Sequence, residues 1–294
     1  MAARPKNKPV ANFTKRTFRR LAGRDRYPQP GLINTRYPVV LMHGFGMLAV
    51  FLRGGHLHDE AMYLRERGVL AYAPNVSPYH TIPARAQMWK ECLDHILKET
   101  GAPALNLIAH SMGGLDARYL ISSLGFADQI RALVTVSTPH RGSCLADIVL
   151  ERPERLQEWL SDVANWAGTS AMDGVDSDFR RAILELTPEY VTQEFNPAVQ
   201  DHSDVAYFSY AGYAGKDTDG KINPLLRPQN ILVYGREGVN DGFVSTASAE
   251  WGSFQGLIRA DHSQQIGIDW TLKSSFKSTE FYADVVRFLS AQGF

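Results

Sequence analysis

From residue 37 onward, short apolar, β-branched runs alternate with segments of helical spacing. Tyr37-Pro38-Val39-Val40-Leu41-Met42 ends at His43-Gly44, the pattern of a buried strand feeding a loop. Val69-Leu70-Ala71-Tyr72-Ala73, Leu105-Asn106-Leu107-Ile108 and Ala132-Leu133-Val134-Thr135-Val136 repeat that pattern. Between them, 57–67 and 84–99 read as helices. In the second, Ala86, Trp89, Leu93, Ile96 and Leu97 recur at spacings of three and four. Strands alternating with helices predict a mostly parallel central sheet flanked by helices on both faces, an α/β fold. Ligands of such sheets bind at the carboxyl ends of the strands.

The strand signal stops from 143 to about 200. Leu156, Trp159, Leu160, Val163 and Trp166 make one apolar face there, and a second helical stretch follows near 177–195. Strand signals resume at Val205–Tyr210 and Ile231-Leu232-Val233-Tyr234. The chain closes on a helix near 278–291 with Phe281, Val285, Phe288 and Leu289 facing inward. The expected organisation is an arm over 1–30 and one α/β domain over 31–294, carrying a helical lid or cap insertion at about 145–200.

The chain has 294 residues, 44% of them apolar, enough for one large core. No apolar run approaches the roughly 18–20 residues that span a bilayer. Basic and acidic residues balance at 31 each, which gives no reason to expect nucleic acid as a partner. Residues 1–26, however, carry nine basic side chains against Asp25 alone. Charge interrupts Phe13, Phe18 and Leu21, so the arm lacks the apolar core of a secretory signal and a cytoplasmic location is expected. The arm reads either as a solvated terminus or as an amphipathic contact for a membrane surface. With two cysteines, Cys92 and Cys144, no disulfide framework is indicated, and two buried free thiols are expected.

Leu107-Ile108-Ala109-His110-Ser111-Met112-Gly113-Gly114 puts a serine directly between a strand and a helical pattern. A sharp strand-to-helix turn of this kind projects the hydroxyl above the sheet and demands small residues two positions away on either side. Ala109 and Gly113 meet that demand, although Ala109 departs from the usual G-x-S-x-G. A serine hydroxyl needs a base to take its proton, and the imidazole that does so needs an acid to fix its tautomer. Chain order in this fold is serine, acid, histidine. Beyond residue 202 the sole histidine is His262. Asp241, in Asn240-Asp241-Gly242, is the preferred acid, with Asp261 as the rival and an ordinary surface turn as the alternative role of the Asn-Asp-Gly segment. Two backbone N–H groups, those of Phe45 and Met112, are the candidate oxyanion hole, and Gly44 and Gly46 give the Phe45 loop room to turn. His43 reads as a brace for that loop.

Taken together, the 37–46 segment, Ala109–Tyr119, Val136-Ser137-Thr138-Pro139-His140-Arg141-Gly142-Ser143, Leu186–Val191, Phe195-Asn196, Asn240-Asp241-Gly242 and Asp261-His262 resemble the bacterial triacylglycerol lipases of the Pseudomonas, Burkholderia and Proteus type. The resemblance implies an α/β-hydrolase fold, a Ser111, Asp241 and His262 triad, the Phe45 and Met112 oxyanion hole, and a lid within roughly 145–200. It implies a serine hydrolase cleaving carboxylic esters with apolar acyl chains. A short-chain carboxylesterase, an acyltransferase and a non-catalytic binding module are the alternatives. The family's structural calcium is held by two carboxylates whose positions here match Gln264 and Asn223-Pro224. Calcium gains affinity from ligand charge, so these amides argue against the ion, with Asp217 and Asp219 near enough to restore one charge. No cofactor is expected.

Overall fold

The computed structural model describes residue 22 and residues 30–44, 55–151, 177–269 and 276–294. The basic arm, Phe45 and the apolar face from Leu156 to Trp166 therefore lie outside the described residues. Ile33–Phe294 forms one compact unit.

Six parallel strands form one sheet in the order β2-β1-β3-β4-β5-β6. They are β1 (Val39–Met42), β2 (Ala71–Tyr72), β3 (Leu105–His110), β4 (Ile130–Val136), β5 (Ala206–Gly212) and β6 (Ser253–Ile258). Among the described residues the helices are α1 (His58–Arg65), α2 (Ile82–Thr100), α3 (Gly113–Ser123), α4 (Cys144–Glu151), α5 (Ser177–Leu184), α6 (Arg227–Glu237), α7 (Thr246–Ala249) and α8 (Ser278–Ala291). A further helical segment begins at Pro188 and passes through a π-helical turn, Val191–Phe195, into Asn196–Ala198.

Side chains alternate across a strand, and here the alternation divides the core in two. Val39, Leu41, Ile108, Ala132, Val134 and Val136 pack with α1 and α8. Val40, Met42, Leu105, Leu107, Ala109 and Leu133 pack with α2 and α3. The stripe Ile82, Arg85, Ala86, Trp89, Leu93 and Ile96 seats α2. That helix starts with a proline in its first turn and ends at Gly101, whose φ of 65° provides the left-handed stop. On α8, Val285 and Leu289 are fully buried, while the half-buried Phe281 and Phe288 meet Tyr210 and Phe208 edge-on.

Two expectations fail. Ile231–Tyr234 is not a strand but part of α6. Pro228 opens that helix and Gly238 closes it, and Ile231 is 60% exposed, so the apolar run marks no buried strand. The last strand is instead β6, an edge strand with mostly exposed or half-buried residues. Both cysteines are free, Cys144 buried and Cys92 half-buried, so the thiol of Cys92 is less enclosed than expected. Among the described residues no helix is long and apolar enough to cross a membrane.

Candidate active site

β1 and β3 are neighbours from which the chain leaves in different directions, toward β2 and toward β4. Loops diverge at such a point and leave a crevice beyond the carboxyl ends of the strands. Ser111 follows β3 there with a left-handed φ of 58°. A side chain in that region costs about 1–3 kcal/mol and persists only where its surroundings hold it. Here Ser111 N donates to Val136 O (2.9 Å), and Ser111 O accepts from Gly114 N (3.1 Å) and Thr138 Oγ1 (2.7 Å). The space around the turn explains its small residues. A Cβ on Gly113 would stand 2.8 Å from His43 O, and one on Gly114 would stand 2.1 Å from Thr138 Oγ1.

The loop after β1 lies against this turn. A Cβ on Gly44 would fall 2.6 Å from Ser111 Cβ and 2.7 Å from Met112 N, so only a bare backbone fits. Met112 is the residue just before α3, where backbone N–H groups and the helix dipole favour negative charge. His43 braces the loop. Its Nε2 accepts from Val76 N (3.1 Å), which leaves Nδ1–H to donate to Gly44 O (2.9 Å). Burial, then His56 and Arg85, depresses its pKa to about 3, so the ring stays neutral. Arg85 ties this loop to the one after β2, Nη2 donating to His43 O (2.8 Å) and Nη1 to Ser77 O (2.7 Å). Arg85 Nε also donates to Asp116 Oδ2 (2.9 Å), and the sequence signals neither residue, because an arginine at a core position of α2 has no motif to announce it.

Asp241 and His262 meet 2.7 Å apart, Nδ1–H to Oδ2, with Asp241 fully buried. Asp241 Oδ1 accepts from the backbone N–H groups of Phe243 (3.0 Å) and Val244 (2.9 Å). His262 N in turn donates to Asp241 O (2.9 Å). Burial alone would raise the Asp241 pKa, but the His262 charge and hydrogen bond and the two amides reverse this, so the carboxyl lies below its ordinary value. The Asn-Asp-Gly segment is no surface turn: Asn240 and Asp241 are both fully enclosed, and Asn240 is paired with Asn230. The rival Asp261 is otherwise engaged. Its Oδ1 accepts from Ser263 N, Ser263 Oγ and Gln264 N, and its Oδ2 from Asn223 N. The His262 ring lies 4.4 Å from that of His110, the residue before Ser111, and 5.0 Å from that of Phe243.

Calcium does not fit the residues present. Gln264 Oε1 accepts from Asp261 N (2.9 Å), and Asn223 Oδ1 accepts from Leu225 N (3.0 Å). Hydrogen bonds within the protein thus engage the amide oxygens at the two matching positions. Asp217 pairs with Tyr234 and Lys216, and Asp219 with Arg259. Among the described residues no group of three or more histidine, cysteine, aspartate or glutamate side chains is placed to hold a metal.

A six-stranded parallel sheet flanked by helices, with a strained serine between strand and helix, defines an α/β-hydrolase. A metagenomic carboxyl esterase superposes with a TM-score of 0.73 at 18% identity, covering 99% of this chain and 82% of that one. Lipase 1 from Pelosinus fermentans gives 0.63 at 19% identity, covering 87% and 99%. The family model described as a PGAP1-like alpha/beta domain matches residues 77–172. Triacylglycerol lipase 2 of Saccharomyces cerevisiae is 30% identical over 254 residues, 79% of this chain and 72% of that protein. The triacylglycerol lipase of Vibrio cholerae is 31% identical over 260 residues, 80% and 79%. The chain belongs to the triacylglycerol lipase family of the α/β-hydrolase superfamily and is a carboxylic ester hydrolase. The family extends beyond bacteria, since the yeast protein is among these relatives.

Proposed function

We propose that the protein hydrolyses esters with apolar acyl chains, acylglycerols among them, through an acyl-enzyme on Ser111. The observation that carries this reading is the buried Asp241–His262 pair, 2.7 Å apart, on a ring packed against the residue before Ser111. His262 takes the Ser111 proton as Oγ bonds to the ester carbonyl carbon, and Asp241 steadies the resulting imidazolium. The Met112 N–H, with that of Phe45, holds the oxyanion. The proton passes to the departing alkoxide, and the acyl group stays on Oγ. Water then attacks with His262 again as base, releasing the acid and restoring Ser111. No step uses a metal, in keeping with amides at Asn223 and Gln264.

The names of the yeast and Vibrio relatives support the acylglycerol substrate. Rates on p-nitrophenyl acetate, butyrate, octanoate and palmitate, with and without an oil interface, test it. The expected result is a rise toward longer chains and at the interface; a preference for acetate unaffected by oil would assign a short-chain esterase instead. Ser111→Ala is expected to abolish both turnover and fluorophosphonate labelling, and near-parental activity in that variant refutes the nucleophile.

A further inference from the structure

Gln265 is fully buried three residues beyond His262, and every polar group of its side chain is used. Its Nε2 donates to Asp241 Oδ2 (2.9 Å) and to Ala260 O (3.4 Å). Its Oε1 faces His110 Nε2 at 3.2 Å. A chain of contacts therefore runs from His110, beside the serine, through the Gln265 amide to the same carboxylate oxygen that holds His262.

The polarity of the chain follows from its ends. Asp241 is ionised and only accepts, so the amide must present its N–H₂ to it and turn its oxygen to His110. His110 then carries its proton on Nε2. Burial, reinforced by His262, holds its pKa well below the ordinary value, so the ring is neutral. A neutral His110 adds no charge against an imidazolium whose ring centre lies 4.4 Å away. There is no slack around the amide either: a Cβ on Gly212 would strike Gln265 Nε2 at 2.0 Å.

We infer that Gln265, oriented by His110, is a positioning residue for the acid of the triad: it supplies the fourth hydrogen bond to Asp241 and holds the carboxylate ionised and aimed at His262. The inference rests on the reading of Asp241 and His262 as catalytic. The titratable groups facing this cluster are Asp241, His262, His110, Asp261 and His56.

Gln265→Glu and Gln265→Leu test it in the full-length protein, with the thermal midpoint recorded for each. Gln265→Leu removes a hydrogen bond to a charged group, so kcat is expected to fall about 10- to 100-fold with KM within about twofold. Gln265→Glu keeps the shape but places a second carboxyl against Asp241. Two carboxyl groups so close keep one proton between them until the pH rises well above the ordinary carboxylate range, and ionisation of the second adds negative charge beside the His262 imidazolium. The acid limb of the kcat/KM profile is expected to move up by about one pH unit. The downfield proton resonance of His262 Nδ1–H is expected to shift in both variants. If Gln265→Leu does not fold, the near-isosteric Gln265→Glu carries the test through its pH profile and resonance. A parental kcat, acid limb and resonance in folded variants, with only the thermal midpoint lowered, overturns the inference and leaves a structural glutamine. Ser111→Ala separates this from failure of the underlying reading: if that variant stays active, the triad assignment falls; if it is dead while the Gln265 variants are unaffected, this inference alone falls.

Discussion

Arg85 and Asp116 form an ion pair, Nη2 to Oδ2 2.8 Å, with both side chains fully enclosed. Burial outweighs the attraction of Arg85 and the Trp89 N–H, so the Asp116 pKa is raised to about 6, and Asp116 Oδ1 has no hydrogen-bond partner. Such a pair is poor value for stability but costly to break, since removing one partner strands a buried charge at about 3–5 kcal/mol. Here it also carries the bond from Arg85 to His43 O. Arg85→Met is therefore expected to lose about that much stability in urea unfolding and to lower kcat. Adding Asp116→Leu removes the stranded charge and leaves the Trp89 N–H without its acceptor, at about 1–3 kcal/mol, so stability partly returns. Activity is not expected to return, because the clamp on the loop is still missing. Recovery of both together would reduce the pair to a packing element.

Gly44 offers a sharper probe of the same loop. The methyl of Gly44→Ala would enter space held by Ser111 Cβ, Met112 N and His110 O, all within 2.9 Å of its built position. The loop must move away from Ser111, and with it the N–H groups proposed to hold the oxyanion. Loss of one such donor costs on the order of a hundred- to a thousandfold in kcat. Fluorophosphonate labelling should slow in parallel, since that reagent also develops charge on oxygen. Parental kcat in a folded Gly44→Ala variant would separate this loop from the chemistry.

Which features the chain disclosed depended on the range over which each acts. The unbroken apolar run Val39–Met42 announces a strand buried on both faces, and the structure divides its residues between the two core layers. The stripe on α2 and the inward set on α8 were likewise legible, because a repeated spacing needs no partner to be read. Ile231–Tyr234 misled because a short apolar run has no period of its own; the proline before it and the glycine after it were the better signals. β6 escaped notice because Ser253, Gln255 and Gly256 break any alternation, as an edge strand tolerates. Around the site, turn chemistry and chain order point to Ser111, Asp241 and His262, of which the structure joins the last two by a hydrogen bond. Gln265 carries no such signal, because Asp241 and His110, the partners that tie it to the site, lie 24 and 155 residues away and nothing local marks it.

Asp241→Asn tests the acid in a way that burial alone does not. The amide would still accept at Oδ1 from Phe243 and Val244, so the loop should survive. At Oδ2, however, an N–H₂ would face His262 Nδ1 and Gln265 Nε2, both donors in the parent. The imidazole then favours the tautomer that cannot accept the serine proton, which in Ser-His-Asp enzymes lowers kcat about 10⁴-fold. Steady-state kinetics on a p-nitrophenyl ester should show this with KM little changed. A loss below tenfold would transfer the role to another acid, Asp261 first.

Glu185 predicts a pH dependence of stability unconnected with the chemistry. Its buried Oε2 accepts from Ile82 N at 2.6 Å, joining the end of α5 to the start of α2. Burial raises its pKa from 4.5 to about 7, against the pull of the Ile82 N–H and Arg181 and with help from Asp116. Between those two values the folded state holds a proton that the unfolded state has already released. Stability from this group therefore falls as pH rises from about 4.5 to about 7 and is flat above that. Asp116, raised to about 6, acts in the same sense at lower pH, while His43 and His56, depressed to about 3 and about 4, act in the opposite sense below their ordinary 6.5. The difference between Glu185→Gln and the parent cancels the two histidines and leaves of Asp116 only its coupling to Glu185. Glutamine keeps an oxygen for the Ile82 N–H and cannot ionise, so the variant should differ least from the parent at pH 5, gain on it up to about pH 7 and level off above that. Urea midpoints at pH 5, 6, 7 and 8 measure this, and a difference that does not change with pH would mean that Glu185 is ionised throughout.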